Sequence, residues 1–389
     1  METTAPTSPN PAADATAGPT PRPATAVFQT TVDHYLAPVR QYLQDPQVAE
    51  VMINAFDDIF IEKDGQLSKV AARFPDKEAY EAAVNNILQF TGKSLSDDDH
   101  LVDARLPDGS RVHVAKEPCA RYGMATTIRK FSRQMLDIDW LIQLGTLTPA
   151  AKEYLQLAVR AEQNLMVAGG TSSGKTSLLN CLSAFIPQGQ RIVVIEDSAE
   201  LQLQQDHVIS LEAKAPDRFG RGAVVIRDLF RSSLRLRPDR IIIGEVRGGE
   251  ALDMIQAMTS GHGGSMTTLH ANNTVDALNR LETMALMSEV ELPLAALRSQ
   301  VASAMNVVVH LSRQTTGRRM VTQVSEVDPL GDDGYYRTRD IFRLQSAPTA
   351  DNPNAMQLAP TGERSALGEV LRHHGQEPTD LTADLFSLA

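Results

Sequence analysis

Residues 169–176 read GGTSSGKT, a run of small residues closed by a lysine and a hydroxyl side chain. Gly169, Gly174, Lys175 and Thr176 match the G-x-x-x-x-G-K-[ST] spacing of a P-loop without a mismatch. Glycines let the backbone wrap close to phosphate oxygens, so that several N–H groups converge on them. The lysine reaches the β- and γ-phosphates, and the threonine hydroxyl ligates Mg2+. Gly169, Gly170, Thr171, Ser172, Ser173, Gly174, Lys175, Thr176 and Ser177 are therefore the candidate cradle for ATP, with Thr176 the candidate Mg2+ ligand.

Breaking a phosphoanhydride also needs a carboxylate to orient water and a cation to stabilise developing charge. Two apolar runs end in acids: 192–195 leads into Glu196-Asp197, and 240–243 into Gly244-Glu245. In a parallel sheet both would project near the P-loop, at the carboxyl ends of neighbouring strands. Either acid could instead cap the next helix, a reading that is stronger for Asp197 than for Glu245. The stretch GHGGSMTTLH, 261–270, is a glycine-rich loop leading into a short strand that ends at His270. There His270 could sense a γ-phosphate or bind the acidic pair; a lone histidine is otherwise a satisfied structural residue, and His262 carries less signal still. Arg227, Arg231 and Arg235 recur every four residues and share one helical face, a solvated or subunit-facing surface, with Leu229 and Leu236 opposite. Arg111 and Arg129 fall in strand-like segments, where an arginine can simply pair with a surface acid. Asp97-Asp98-Asp99 reads as a solvated loop.

Two sets of elements must position these groups. Tyr35, Leu36, Val39 and Tyr42 follow a helical spacing, and 50–54 and 59–62 read as strands, the second closed by Asp64-Gly65. Asp76 is a candidate N-cap for a helix whose apolar stripe is Tyr80, Ala83, Val84, Ile87 and Leu88, with Gly92 as its stop. Strands follow at 111–114 and 124–130, after the turn Pro107-Asp108-Gly109. This is a small α+β domain. From about Leu147 the pattern changes to short apolar runs at 165–168, 192–195 and 241–243, the signature of parallel strands buried on both faces. Helical stripes lie between them, such as Ala251, Met254, Ile255 and Met258, giving an α/β domain with its chemistry at the strand ends. The expected division is a Pro/Ala/Thr-rich disordered tail at 1–27, an N-terminal domain at 28–132, a linker at 133–147, an ATPase domain at 148–330 and an extension at 331–389.

The chain has 389 residues and a formal net charge of −11, a balance that disfavours sequence-independent nucleic-acid binding. Its two cysteines, Cys119 and Cys181, form no CxxC pair and point to a reducing compartment. No apolar run approaches a membrane span, so the expectation is a cytoplasmic protein that meets a membrane only through partners.

The ordered segments DARLPDGSRV (103–112), TIRKFS (127–132), GGTSSGKTSLLN (169–180), RIVVIEDSAEL (191–201) and RPDRIIIGEVRGGEALDMIQAMTSGHGGSMTTLHANN (237–273) resemble the type II and type IV secretion (traffic) ATPases. Within that superfamily they look most like the Tad/Cpa pilus assembly branch. The resemblance covers about 45 to 345 and implies a RecA-like P-loop NTPase domain with a smaller N-terminal α+β domain. It places Glu196 in an acidic "Asp box", makes Glu245 the catalytic carboxylate at the end of the Walker B strand, and gives His270 the His-box position. It further implies a homohexameric ring, nucleotide held between the two domains with Arg111 and Arg129 reaching phosphate, and polytopic inner-membrane platform proteins as partners. The strand ends in Gly244-Glu245 rather than Asp, a form this family shares, so Mg2+ would rest mainly on Thr176 and phosphate. HVAKEPCARYG at 113–123 stands where the family shows a proline-rich segment, and NAFDD at 54–58 lacks its Gly-Pro turn. The leading expectation is a cytoplasmic motor driving pilus assembly or secretion; a RecA-like nucleic-acid translocase and a non-hydrolysing docking scaffold are the alternatives.

Overall fold

Alternation of apolar and polar residues builds the first unit, and continuous apolar runs build the second. The structure, a computed structural model, describes residues 34–386 except 64, 97–98, 107, 132–136, 217–219, 315 and 349–354. The 1–27 tail, Asp64, Pro107 and the acids at 97 and 98 lie outside the described residues. The chain divides at Arg133 into two units.

In the first unit, α1 (Arg40–Gln44) is shorter than the spacing of Tyr35 to Tyr42 predicts, although Leu36 and Val39 are fully buried. Strands β1 (Val48–Ala55), β2 (Asp58–Lys63), β3 (Gln66–Val70), β4 (Leu101–Arg105), β5 (Arg111–Ala115) and β6 (Ala125–Arg129) form one antiparallel sheet, ordered β3-β2-β1-β6-β5-β4. Helix α2 (Lys77–Phe90) begins where Asp76 Oδ1 accepts the Ala79 N–H at 2.7 Å, satisfying one of the helix's unpaired first-turn donors. Its stripe from Tyr80 to Leu88 is buried with Val51, Ile53, Val112 and Ile128 in one core. The Tyr80 hydroxyl bonds Thr126 Oγ1 at 2.7 Å, tying helix to sheet.

The second unit is a nine-stranded sheet ordered β15-β14-β13-β12-β7-β11-β10-β8-β9. Its parallel part comprises β7 (Leu165–Gly169), β8 (Ile192–Glu196), β9 (Val208–Glu212), β10 (Arg240–Ile243), β11 (Met266–Leu269) and β12 (Val307–Arg313). Strands β13 (Arg319–Val327), β14 (Thr338–Ser346) and β15 (Met356–Pro360) continue it antiparallel, so the extension at 331–389 contributes two strands to this sheet. Every residue of β7, β8, β10 and β11 is buried, because helices cover both faces. One cover includes α4 (Pro149–Arg160) and α5 (Lys175–Ser183); the other includes α6 (Ile226–Ser233), α7 (Glu250–Thr259), α8 (Thr274–Leu286) and α9 (Leu294–Ala304). Within the stretch read as a linker, α3 (Ile138–Gln143) buries Ile138 and Leu141 in this unit's core. The order β7-β11-β10-β8 matters most, since it sets the lateral sequence of groups at the carboxyl ends of the strands.

Candidate active site

The candidate phosphate loop joins β7 to α5. Gly169 closes β7 against β12, and a Cβ there would lie 2.4 Å from the Leu311 carbonyl oxygen. Ser172 (φ 55) and Gly174 (φ 98) adopt left-handed conformations that curl the loop. α5 starts at Lys175 with no side-chain cap at Gly174, and the first-turn N–H groups of a helix are natural donors to an anion. A Cβ on Gly170 would meet nothing within 4 Å, and Ser173 Oγ is buried without a partner. An open-sided loop with an orphaned hydroxyl suits a polyoxyanion.

From this loop a chain of polar contacts runs across the sheet. Lys175 is 8% exposed; its ammonium donates to the Gly170 carbonyl at 2.9 Å and lies 3.5 Å from His270 Nδ1. His270 Nε2 lies 2.9 Å from Glu245 Oε1. An ammonium only donates, so Nδ1 must present its lone pair and the ring proton sits on Nε2, facing the carboxylate. Burial and then the positive Lys175 hold the His270 pKa below its ordinary value, against the pull of Glu245, so the ring is neutral at neutral pH. β11 lies between β7 and β10, which is why the histidine stands between the lysine and the acid.

Glu245 lies two residues beyond β10 rather than at its end. Its turn is secured by the Val246 N–H on the Thr268 carbonyl (3.1 Å) and by the Arg247 and Gly248 N–H groups on Glu250 Oε1 (2.8 and 2.9 Å). The second Glu245 oxygen accepts from Arg247 at 2.6 Å, and Arg247 also reaches Asp197 at 3.3 Å. In the sequence, Arg247 carries no signal beyond its place two residues after the acid.

Glu196 has a different environment. It is 4% exposed, and its Oε1 accepts the N–H groups of Glu200 and Leu201 at 2.8 and 2.9 Å. A Cβ on Gly244 would come within 2.9 Å of its Cγ, so the glycine before Glu245 leaves room for Glu196. Burial outweighs both hydrogen bonds and pushes its carboxyl up to about 7. β8 is separated from the phosphate-loop strand by β10 and β11, so the two acids flank each other but do not both adjoin the loop.

The glycine-rich run before β11 lies at the amino ends of the strands, about 13 Å of strand away from His270. It holds an arginine instead. Arg240 is fully buried, and its guanidinium donates to Val159 and Gly264 carbonyls at 3.1 and 3.3 Å and to Gln190 Oε1 at 2.8 Å, with Glu162 3.6 Å away. Gly264 makes the room, since a Cβ there would stand 1.5 Å from Arg240 Nη1. His262 belongs to this end, and its Nδ1 is buried without a partner. Arg227 and Arg231 are not simply solvated: both grip Asp253 of α7, at 2.6 and 3.0 Å, while Arg235 lies in the exposed turn that follows. Arg111 and Arg129 are cross-strand partners in the first unit, and Glu50 is the partner of Arg129 on its other side. Like charges directly opposite destabilise a sheet, and Glu50 offsets part of that cost.

Among the described residues no three His, Cys, Asp or Glu side chains converge as a metal cage. The single hard donor at Thr176 fits Mg2+ carried in with phosphate.

The model of the type II/IV secretion system protein family matches residues 33–345. A putative conjugal transfer protein of Mycobacterium tuberculosis is 33% identical over 282 residues, covering 71% of this chain and 80% of the relative. The type IV secretion system protein VirB11 of Brucella suis biovar 1 is 33% identical over 308 residues, covering 72% and 85%. The X-ray structure of the Yersinia pseudotuberculosis ATPase DotB superposes with a TM-score of 0.54 at 19% identity, over 80% of this chain and 82% of that one, a likeness of fold.

Proposed function

Because the chain belongs to the type II/IV secretion system protein family and is a secretion ATPase with a RecA-like domain, we propose that it powers assembly of a Tad/type IV-like pilus or protein secretion by hydrolysing Mg-ATP at the Lys175–His270–Glu245 array. The observation that carries the site assignment is that array itself: a P-loop lysine, a neutral imidazole and a carboxylate in contact through 3.5 and 2.9 Å. In this reading the loop 169–177 and Lys175 bind the triphosphate, and Thr176 would hold Mg2+, which supplies charge neutralisation at the phosphates. Glu245 orients the attacking water and accepts its proton, and Arg247 must yield its oxygen for that to happen. His270 holds Glu245 in place and marks the end of the γ-phosphate space. Glu196 supports the Gly244-Glu245 turn from below. Arg111 and Arg129 are the arginines assigned to meet phosphate in an assembled homohexameric ring.

No helix among the described residues is long and apolar enough to cross a membrane. Work at an inner membrane would therefore go through platform proteins, with the motor on the cytoplasmic side. The net charge of −11 makes nucleic acid a poor track.

Steady-state phosphate release and ADP binding test the assignment. Lys175→Ala should lose both, whereas Glu245→Gln should bind ADP normally and hydrolyse ATP about 100-fold or more slowly, the scale of general-base removal. Wild-type turnover by Glu245→Gln would remove Glu245 from the role. Sedimentation with nucleotide tests the ring.

A further inference from the structure

Two consecutive arginines at the start of β13 hold two different carbonyls. Arg318 donates from Nη2 to the Leu144 oxygen at 2.9 Å, and Arg319 donates from Nε to the Ser172 oxygen at 3.0 Å. Neighbouring positions at a strand point to opposite faces, so the pair reaches two separate segments. Gly145 leaves room for Arg318, since a Cβ there would lie 2.7 Å from Nη2, whereas a Cβ on Gly174 would make ordinary contact with Arg319 Cδ at 3.4 Å. Arg319 thus packs along the phosphate loop and bonds its most contorted non-glycine residue, Ser172, at φ 55.

We propose that Arg319 is a positioning residue for nucleotide binding, which holds the phosphate loop in its receiving conformation before nucleotide arrives. The reasoning starts from the peptide joining Ser172 to Ser173. In a trans peptide the C=O and the N–H point in opposite directions. Anchoring the Ser172 oxygen to a guanidinium on the outer side of the loop turns the Ser173 N–H the other way. A flipped peptide would place a carbonyl oxygen where an anion needs a donor. Left-handed φ at Ser172 costs on the order of 1 kcal/mol, and the Arg319 bond is one of the contacts that holds the residue there. Arg319 touches no reacting atom, and the proposal rests on the reading of 169–177 as the phosphate site.

A loop that is competent only part of the time binds more weakly in proportion to that fraction. Losing one charge-assisted hydrogen bond at this exposed position should weaken ADP binding about 5- to 20-fold. The anchor acts on ground and transition states alike, so KM for ATP should rise with kcat held.

The test is titration of a fluorescent ADP analogue with Mg2+ into the full chain, paired with phosphate release, for wild type, Arg319→Ala, Arg319→Lys, Arg318→Ala and Lys175→Ala. Arg319→Ala should show the rise in Kd and KM with kcat within about twofold, and Arg319→Lys, which keeps a donor, about half the logarithmic effect. Arg318→Ala removes an equally exposed arginine from the same hairpin and should bind within about twofold of wild type. Should Arg319→Ala not fold, the Arg319→Lys titration decides. Binding within twofold of wild type in both Arg319 variants overturns the proposal, as does an equal loss in Arg318→Ala or a fall in kcat at constant KM. Binding abolished by Lys175→Ala but untouched at Arg319 removes this proposal alone. A wild type that binds no nucleotide removes the site reading with it.

Discussion

Replacing Glu196 by glutamine removes a charge from a place where burial penalises charge. The wild-type carboxyl sits at about 7 in the folded chain against an ordinary 4.5, with burial as the largest cause. A raised folded-state pKa means that the native state binds the proton more tightly than the unfolded state. The stabilising contribution is therefore fully present below about pH 4.5, and it is lost as pH rises through about 7. At 1.36 kcal/mol per pH unit, the distance between the two values is on the order of 3 kcal/mol. Most of that falls between pH 5 and pH 8. Glutamine keeps the acceptor oxygen for the Glu200 and Leu201 N–H groups but cannot ionise. Wild type should thus lose stability relative to Glu196→Gln across this window, while pH effects shared by both proteins cancel in the difference. In a unit of this size that corresponds to a melting difference changing by roughly 5–10 °C between pH 5 and pH 8. Thermal melts of both proteins at matched pH and ionic strength read it directly. Parallel melting curves with a constant offset would show that Glu196 ionises as freely folded as unfolded, and the burial argument would fail.

Gly264→Ala should destabilise the second unit by about 4 kcal/mol or more, since it combines left-handed strain with eviction of the buried Arg240 guanidinium from its partners. A urea midpoint within error of wild type would refute the packing. Asp76→Ala should cost about 1 kcal/mol of local stability at the start of α2. Hydrogen exchange reads this as faster exchange confined to the first turn, beginning at Ala79, which loses its acceptor.

How the groups meet was only partly legible beforehand. The runs at 165–168, 192–195 and 241–243 announced themselves because strands buried on both faces need apolar residues at every position. The stripe from Tyr80 to Leu88 did so by its helical period. By contrast, β3 carries mostly exposed residues and little in it marks a strand, while β4 alternates but buries only Val102 and Ala104. The β15 strand was hidden for a similar reason: it lies at the sheet edge in a polar stretch.

Local chemistry is a property of neighbouring residues, so the sequence by itself determined that 169–176 has the form of a phosphate loop and that acids follow two buried strands. Lateral order is not local. Only the tertiary structure decided that β11 lies between β7 and β10, and so that His270 touches both Lys175 and Glu245 while Glu196 packs against Gly244. It likewise put Gly264 beside the Arg240 guanidinium at the opposite end of β11 from His270, because the two ends of a strand are adjacent in sequence yet far apart in space. Arg319 reaches Ser172 across 147 positions of chain, a distance at which no spacing rule connects two residues and only the pairing of β12 with β7 and β13 brings them together.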